Sequence, residues 1–201
     1  MRGSRSLGGG AFRYCTSLER ITFPSTITEV GRHAFYNCRN LGEVVLNEGL
    51  KKIGNGAFKG IKSKAIVIPN SVLKIGDDSF SNSELESVII GSSVTDIGQG
   101  AFRNSKVTSV VIPDSVINIG STENGLANPN GVFMQNPLTS VVFGKSVVTI
   151  GTFAFGYTKL TAVQIPDSVR EIGYWAFSNN PSLNLVELGN SLRHIGKWAF
   201  A

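Results

Sequence analysis

The segment Val107-Thr-Ser-Val-Val-Ile-Pro-Asp-Ser-Val-Ile-Asn-Ile-Gly120 decides the fold, because most of the chain consists of copies of it. Val163-Gln-Ile-Pro-Asp-Ser-Val-Arg-Glu-Ile-Gly173 repeats it downstream, and Ile66-Val-Ile-Pro-Asn-Ser-Val-Leu-Lys-Ile-Gly76 repeats it upstream. A second half follows each Ile-Gly pair, as in Ile97-Gly-Gln-Gly-Ala-Phe102. Self-similarity of this kind is the signature of stacked repeat architectures.

The repeat length is nearly constant. The phenylalanines of the second half are Phe12, Phe35, Phe58, Phe80, Phe102, Phe133, Phe155, Phe177 and Phe200. They are 22 or 23 residues apart, except for 31 between Phe102 and Phe133. The turn residue after each predicted strand precedes the next of these phenylalanines by 11 residues, except for 20 between Pro113 and Phe133. One copy therefore carries an insertion, nine residues long, within 121–131.

Each copy contains a short strand. The alternation Val-x-Ile has the period of two that is typical of a strand. Its inward-facing pairs are Ile21/Phe23, Val44/Leu46, Ile66/Ile68, Val88/Ile90, Val110/Ile112, Val141/Phe143, Val163/Ile165 and Val186/Leu188. A Pro, Gly or Asn ends each strand, since Pro cannot continue a hydrogen-bonded ladder and Gly or Asn tolerates positive φ.

One copy alone cannot bury its apolar face, so the copies are predicted to stack. Stacked strands form a parallel sheet at about 4.8 Å per coil. Every copy from Gly31 to Gly196 has a glycine as the second residue of the Ile-Gly pair or its equivalent. This glycine indicates special backbone geometry or a close approach between coils.

The repeat resembles the BspA-like leucine-rich repeat family, whose unit reads Leu-x-x-Val-x-Ile-Pro-x-Ser-Val-x-x-Ile-Gly-x-x-Ala-Phe-x-x-Cys. The leading leucine is matched by Leu18, Leu41, Leu85, Leu138, Leu160 and Leu183. Cys15 and Cys38 match the cysteine. The resemblance implies a curved right-handed solenoid with a parallel β-sheet on the concave face. It also implies a microbial surface or secreted protein, located at the cell surface or outside the cell, that binds proteins and acts in adhesion. It supplies no catalytic or ligand residues, so no enzyme and no cofactor are expected.

The chain is expected to be one elongated domain over residues 7–201, cut from a longer repeat protein. Residues 1–6 resemble an expression tag or linker. Residues 1–74 carry 12 Lys and Arg against 4 Asp and Glu, whereas residues 75–201 carry 7 against 10. The basic half is either a solvated surface or a surface that attracts acidic partners. A nucleic-acid partner is not expected, because interleaved aromatic and arginine clusters are missing. No apolar run is long enough to span a membrane.

The reactive side chains do not form a recognisable site. Cys15 and Cys38 occupy equivalent positions in neighbouring copies and are expected to be buried free thiols, although their spacing would also allow a disulfide. His33 and His194 lie in different columns of the stack, and Asp77-Asp78 lacks the ligand spacing of a calcium loop. No metal site is predicted. The insertion is either a tolerated surface loop or a loop that contacts a partner.

Two columns of outward residues are the candidate binding surfaces. The residue between the inward pair of each strand is aliphatic in five consecutive copies: Val45, Val67, Ile89, Val111 and Val142. These residues either form an apolar groove for a protein partner, such as a host matrix or plasma protein, or simply suit a pleated sheet. The residue before Ala-Phe is aromatic at Phe153, Trp175 and Trp198, with Tyr174 and Tyr157 nearby. These rings either stack against a glycan or pack against each other.

Three functions therefore remain open. The leading hypothesis is a non-enzymatic binding and adhesion module that uses the groove. The alternatives are carbohydrate binding along the aromatic residues and a passive scaffold or spacer. Exposed apolar ends also predict weak end-to-end self-association or fraying of residues 1–18.

Overall fold

The repeats stack into a β-solenoid. The computed structural model describes residues 5–122 and 130–201. These residues form 17 short strands and no α-helix. All strand pairs are parallel. The predicted repeat solenoid with parallel strands and 22–23-residue coils is confirmed.

The continuous sheet is built from the short segments that end just before the glycine of the Ile-Gly pair, or before its equivalent in each repeat. Its nine strands pair in chain order, each with the equivalent strand of the next coil. They are β1 (Arg5–Leu7), β3 (Ile27–Val30), β5 (Lys52–Ile53), β7 (Lys74–Ile75), β9 (Asp96–Ile97), β11 (Asn118–Ile119), β13 (Thr149–Ile150), β15 (Glu171–Ile172) and β17 (His194–Ile195). The sequence did not predict strands here. Most of these segments contain one polar and one apolar residue, so they are too short to show the alternation that is typical of a strand.

The Val-x-Ile segments form the remaining strands, as predicted. They are β2 (Arg20–Thr22), β4 (Glu43–Val45), β6 (Ala65–Val67), β8 (Ser87–Ile89), β10 (Ser109–Val111), β12 (Ser140–Val142), β14 (Ala162–Gln164) and β16 (Leu185–Glu187). They do not form the single continuous sheet that we expected. They pair in twos instead: β2 with β4, β6 with β8, β10 with β12, and β14 with β16.

The turn residues alternate with the same period of two coils. Pro69, Pro113 and Pro166 end the first strand of three pairs, and Gly91, Gly144 and Gly189 end the second. A Cβ atom on any of these glycines would overlap the proline carbonyl of the preceding coil. The two coils of a pair therefore approach closely at the turn.

Stacked phenylalanines fill the middle of the solenoid. Rings from Phe12 to Phe200 lie 5.1–5.6 Å apart in successive coils, with interplanar angles of at most 13°. The seven rings from Phe35 to Phe177 are fully buried. Backbone hydrogen bonds join the Ala-Phe segments of adjacent coils, such as the bond from the Phe35 amide to the Ala57 carbonyl at 2.7 Å. The coil is thus held by inter-coil bonds on this side as well as by the sheets.

Close backbone approach explains the glycine of the Ile-Gly pair, which directly follows the strand in most coils. A Cβ atom on Gly98 would lie 2.5 Å from the amide nitrogen of Asp77 in the preceding coil. Gly31, Gly54, Gly76, Gly151, Gly173 and Gly196 meet backbone atoms in the same way. Gly120 differs, with φ of 74°, and precedes the insertion. Residues 123–129 of the insertion lie outside the described residues.

A column of polar side chains runs beside the phenylalanines, three residues after each. It contains Cys38, Ser83, Ser105, Asn136, Thr158 and Asn180, together with Cys15 and Ile61. Most of these side chains donate hydrogen bonds to phenylalanine carbonyls: Cys38 Sγ lies 2.9 Å from Phe12 O, and Asn136 Nδ2 lies 2.8 Å from Phe102 O. The column thus supplies side-chain donors to the phenylalanine carbonyls beside the core.

The two cysteines are free. Cys38 is buried, and burial raises the pKa of its thiol. A hydrogen bond with the Cys15 backbone opposes this shift without cancelling it. Cys15 is exposed, so the prediction that both thiols are buried is wrong for Cys15. The reason is its place in the first described coil, where no preceding coil covers it.

Candidate binding surface on the even-numbered strands

The five aliphatic residues predicted to face outward do so. Their exposed fractions are 39% for Val45, 58% for Val67, 62% for Ile89, 65% for Val111 and 58% for Val142. We call these five residues the aliphatic column. The strand register places Val67 opposite Ile89 and Val111 opposite Val142, so the side chains follow one line across the coils.

The strand pleat produces this exposure. Each three-residue strand alternates exposed, covered and exposed positions. Val110 is 4% exposed in the core, whereas its neighbours Ser109 and Val111 face outward. The core thus takes one side chain per strand, and the aliphatic column is additional apolar surface that the fold does not use.

A second outward column lies beside the aliphatic column and has small side chains in its middle. It contains Ala65, Ser87, Ser109, Ser140 and Ala162, all exposed. Because these side chains are short, the surface beside the aliphatic column is flat. The two columns together form a strip along the coils. The end of the second column differs: Leu185 is 51% exposed.

The aliphatic column ends in an acidic depression that sequence reasoning did not identify. The depression has a volume of about 450 Å³, and its lining includes Val142, Gln164, Pro166, Asp167 and Glu187. Gln164 and Glu187 continue the line of the column. Among the residues that the structure describes, neither Asp167 nor Glu187 forms a salt bridge. The outward position of Gln164 and Glu187 was visible in the sequence, but Asp167 belongs to the neighbouring turn.

The opposite end of the column carries both signs of charge, and Glu48 there accepts hydrogen bonds from the Asn70 and Ser71 amides, each at 3.1 Å. Thr22 precedes Val45 in the line, and the adjacent Arg20 and Glu43 form a salt bridge of 3.4 Å. Lys64 and Glu86 pair in the same way at 2.9 Å farther along the same edge. Asp167 and Glu187, two carboxylates lining one depression, distinguish the Val142 end of the strip from this one.

The aromatic residues before Ala-Phe stack on each other. Phe153 and Trp175 have ring centroids 5.1 Å apart and an interplanar angle of 5°. Trp175 and Trp198 are 4.9 Å and 16° apart. We call Phe153, Trp175 and Trp198 the aromatic ladder. Tyr174 contacts Trp175 at an angle of 42°, with centroids 6.0 Å apart.

All three residues of the aromatic ladder have left-handed backbone conformations, with φ of 54°, 52° and 57°. Large side chains rarely adopt this region, so the conformation is strained. The coil imposes it, because His33, Gly56, Asp78 and Gly100 have positive φ at the equivalent position. The ladder rings cover each other's faces, and Trp198 is the most exposed of the three, at 57%.

The remaining polar candidates do not assemble into a catalytic group. Asp77 accepts hydrogen bonds from Asn55 Nδ2 at 3.2 Å and from the Gln99 amide at 2.9 Å, as a polar turn does. Asp78 pairs with Lys59 at 3.4 Å. Within residues 5–122 and 130–201, no group of three or more His, Cys, Asp or Glu side chains could hold a metal ion. No helix in that part of the chain could cross a membrane.

His33 is half-buried beside cationic side chains. Its ring meets the Tyr36 ring edge-on, with centroids 5.1 Å apart. Burial, followed by the charges of Arg32, Arg13 and Lys59, lowers the pKa of His33 below 6.5, and Asp78 opposes this shift.

Comparison with solved structures shows the same architecture elsewhere. The pneumococcal vaccine antigen PcpA is 24% identical and superposes with a TM-score of 0.66 over 91% of this chain and 48% of that chain. A leucine-rich repeat protein of T. pallidum is 22% identical, with a TM-score of 0.46 over 96% of this chain and 66% of that one. The chain thus spans about half the length of the PcpA structure. No curated protein matches the chain.

The sequence model of the BspA type leucine-rich repeat region matches six copies over residues 5–123 and 128–201. This match covers the repeats whose strands, glycines and stacked phenylalanines are described above. The chain belongs to the BspA type leucine-rich repeat family.

Proposed function

We propose that this chain is a non-enzymatic protein-binding module of a microbial surface or secreted protein, and that it binds through the aliphatic column. The observation that carries the proposal is the unbroken exposure of five aliphatic side chains in successive coils. Apolar side chains that the core does not use, arranged contiguously, mark contact surfaces more often than chance exposure. A preference of β-branched residues for strands explains single positions but not why the aliphatic character stops where the acidic depression begins.

Adhesion at a cell surface or outside the cell fits this role. The family resemblance supports it, and one structural neighbour is described as a vaccine antigen. A flat apolar strip is suited to contact with a protein surface. Host matrix or plasma proteins are therefore the partners that we would test first.

Glycan binding is the weaker alternative. Sugar rings stack on the faces of aromatic side chains, and the faces within the aromatic ladder are already occupied. The geometry instead favours a structural role for Phe153 and Trp175. Screening on a glycan array tests this directly: binding that is lost in Trp198→Ala would support the alternative.

The test of the proposed function compares wild type with Ile89→Lys on immobilised matrix and plasma proteins. Ile89 is 62% exposed, so the variant should fold as wild type does. If the column is the centre of an interface, the variant should bind about 5–150-fold more weakly, equivalent to ~1–3 kcal/mol. Ser140→Lys, on the column of small residues, reports whether added charge beside the column has the same effect. Partners that bind both variants as well as wild type would refute the column as the site.

A further inference from the structure

The spacing of the aliphatic column matches the pitch of an α-helix. Adjacent strands in a sheet are about 4.8 Å apart, and the stacked phenylalanine rings of successive coils have centroids 5.1–5.6 Å apart. An α-helix rises about 5.4 Å per turn. A helix lying along the solenoid axis would therefore present one side chain per turn to one aliphatic side chain per coil.

The match persists over the whole column, whereas an extended segment loses it. Val45 to Val142 span four coil intervals. Over that distance a helix departs from the column spacing by at most about 2.5 Å. In an extended segment, side chains on one face recur every 6.6–6.8 Å, so it would be out of register by about 4–8 Å. A helix can contact all five residues, and an extended segment along the same line cannot.

The low strip beside the column leaves room for a cylinder. The exposed Ala65, Ser87, Ser109, Ser140 and Ala162 run parallel to the aliphatic side chains. A helix with its side chains is about 10–12 Å across. It would therefore cover both the aliphatic column and the column of small residues beside it. Small side chains under one flank would allow the helix axis to approach the sheet.

The acidic depression sets the charge of one end of the partner. Asp167 and Glu187 line it together with Val142, the last residue of the column. At the opposite end Arg20 and Glu43 neutralise each other, and both carboxylate oxygens of Glu48 accept backbone hydrogen bonds. A Lys or Arg side chain could place its apolar stem against Val142 and its charge between the two carboxylates.

We propose, on the basis of the proposed function, that the partner contributes an amphipathic α-helix with basic residues at one end. Its apolar stripe covers about 14 residues, at 1.5 Å per residue along the column. Its Lys or Arg residues follow one to two turns beyond the stripe and bind at Asp167 and Glu187. The helix lies along the solenoid axis, across the strands.

Peptide display tests this proposal. Two libraries of 22-residue peptides with equal composition are selected on the 201-residue chain: one has apolar residues at helical spacing, and the other has them at every second position. The helical library should be enriched at least tenfold over the alternating one. Enriched peptides should carry Lys or Arg at one end, bind at least fivefold more weakly to Glu187→Gln, and lose binding to Ile89→Lys. Val67→Lys replaces Ile89→Lys if the latter fails to fold.

The outcomes separate this proposal from the proposed function. Enrichment of the alternating library, abolished by Ile89→Lys, would keep the column as a binding surface and overturn the helix. Enrichment that neither column variant affects would overturn both. If neither library is enriched, the helix proposal is wrong, and the matrix and plasma protein panel decides the proposed function alone.

Discussion

Gly91 lies so close to the carbonyl group of Pro69 in the preceding coil that a Cβ atom at position 91 would overlap the carbonyl oxygen. The same relationship joins Gly144 to Pro113 and Gly189 to Pro166. Each of these contacts lies within a pair of coils whose even-numbered strands are hydrogen-bonded. On the side of the even-numbered strands, the structural repeat of the solenoid is thus two coils, not one.

We expect Gly91→Ala to destabilise the protein by about 1–3 kcal/mol, since the added methyl group must push the two coils apart. Gly42→Ala is the matched control, because the nearest atom to its Cβ is 3.8 Å away, an ordinary contact distance. Chemical denaturation of both variants measures the difference. Equal free energies of unfolding for the two variants would show that close approach does not hold the pair together.

Asn136→Leu should cost at least about 2 kcal/mol, because it leaves buried backbone groups without partners. The Asn136 side chain donates to Phe102 O at 2.8 Å and to Phe133 O at 3.0 Å, and it accepts from the Val107 amide at 3.1 Å. Asn184→Leu, at an exposed position, should change stability by no more than about 0.5 kcal/mol. If thermal melts of the two variants coincide, the polar column is not needed for stability.

Stability should depend on the protonation of His33. Its pKa in the folded chain is below 6.5, so the unfolded chain binds more protons between the two values. The contribution is therefore complete above pH 6.5 and is lost as pH falls from there toward the folded-state pKa. His33→Asn should show a smaller loss of stability over that pH range, and asparagine tolerates the φ of 56° at this position.

The direct measurement is an NMR titration of the His33 imidazole together with unfolding curves at several pH values. A titration midpoint above 6.5, or an unchanged pH dependence in His33→Asn, would show that burial and the neighbouring Arg32, Arg13 and Lys59 do not lower the pKa of this group.

Much of the fold was predictable because identical side chains recur at fixed spacing. The buried Phe35 to Phe177, the strands around Val110 and the outward position of Val111 all follow from period and hydrophobicity. The continuous sheet did not follow, because a two-residue strand such as Asn118–Ile119 is defined by its neighbours in the stack and not by its own sequence. The pairing of coils was visible in the alternation of proline and glycine, but its meaning depends on how closely the turns approach.

The candidate surface was predictable only in part. The alternation within each strand identified Val67, Ile89 and Val111 as outward residues. It could not show that Asp167, which lies in a turn, shares a depression with Glu187 of the following coil. For Trp175 and Trp198, the sequence left open whether the rings face a ligand or each other, and the stacking distance of 4.9 Å resolves how they pack.

The central claim is that neighbouring residues on one strand divide between the core and a surface that is free for a partner. The free energies of unfolding of Val110→Lys and Val111→Lys test it most directly, because the two side chains are 4% and 65% exposed. Val110→Lys should lose about 3–5 kcal/mol or unfold, since it buries an unpaired charge. Val111→Lys should stay within about 0.5 kcal/mol of wild type. A loss in Val111→Lys as large as that in Val110→Lys would contradict the account, because the aliphatic column would then belong to the core.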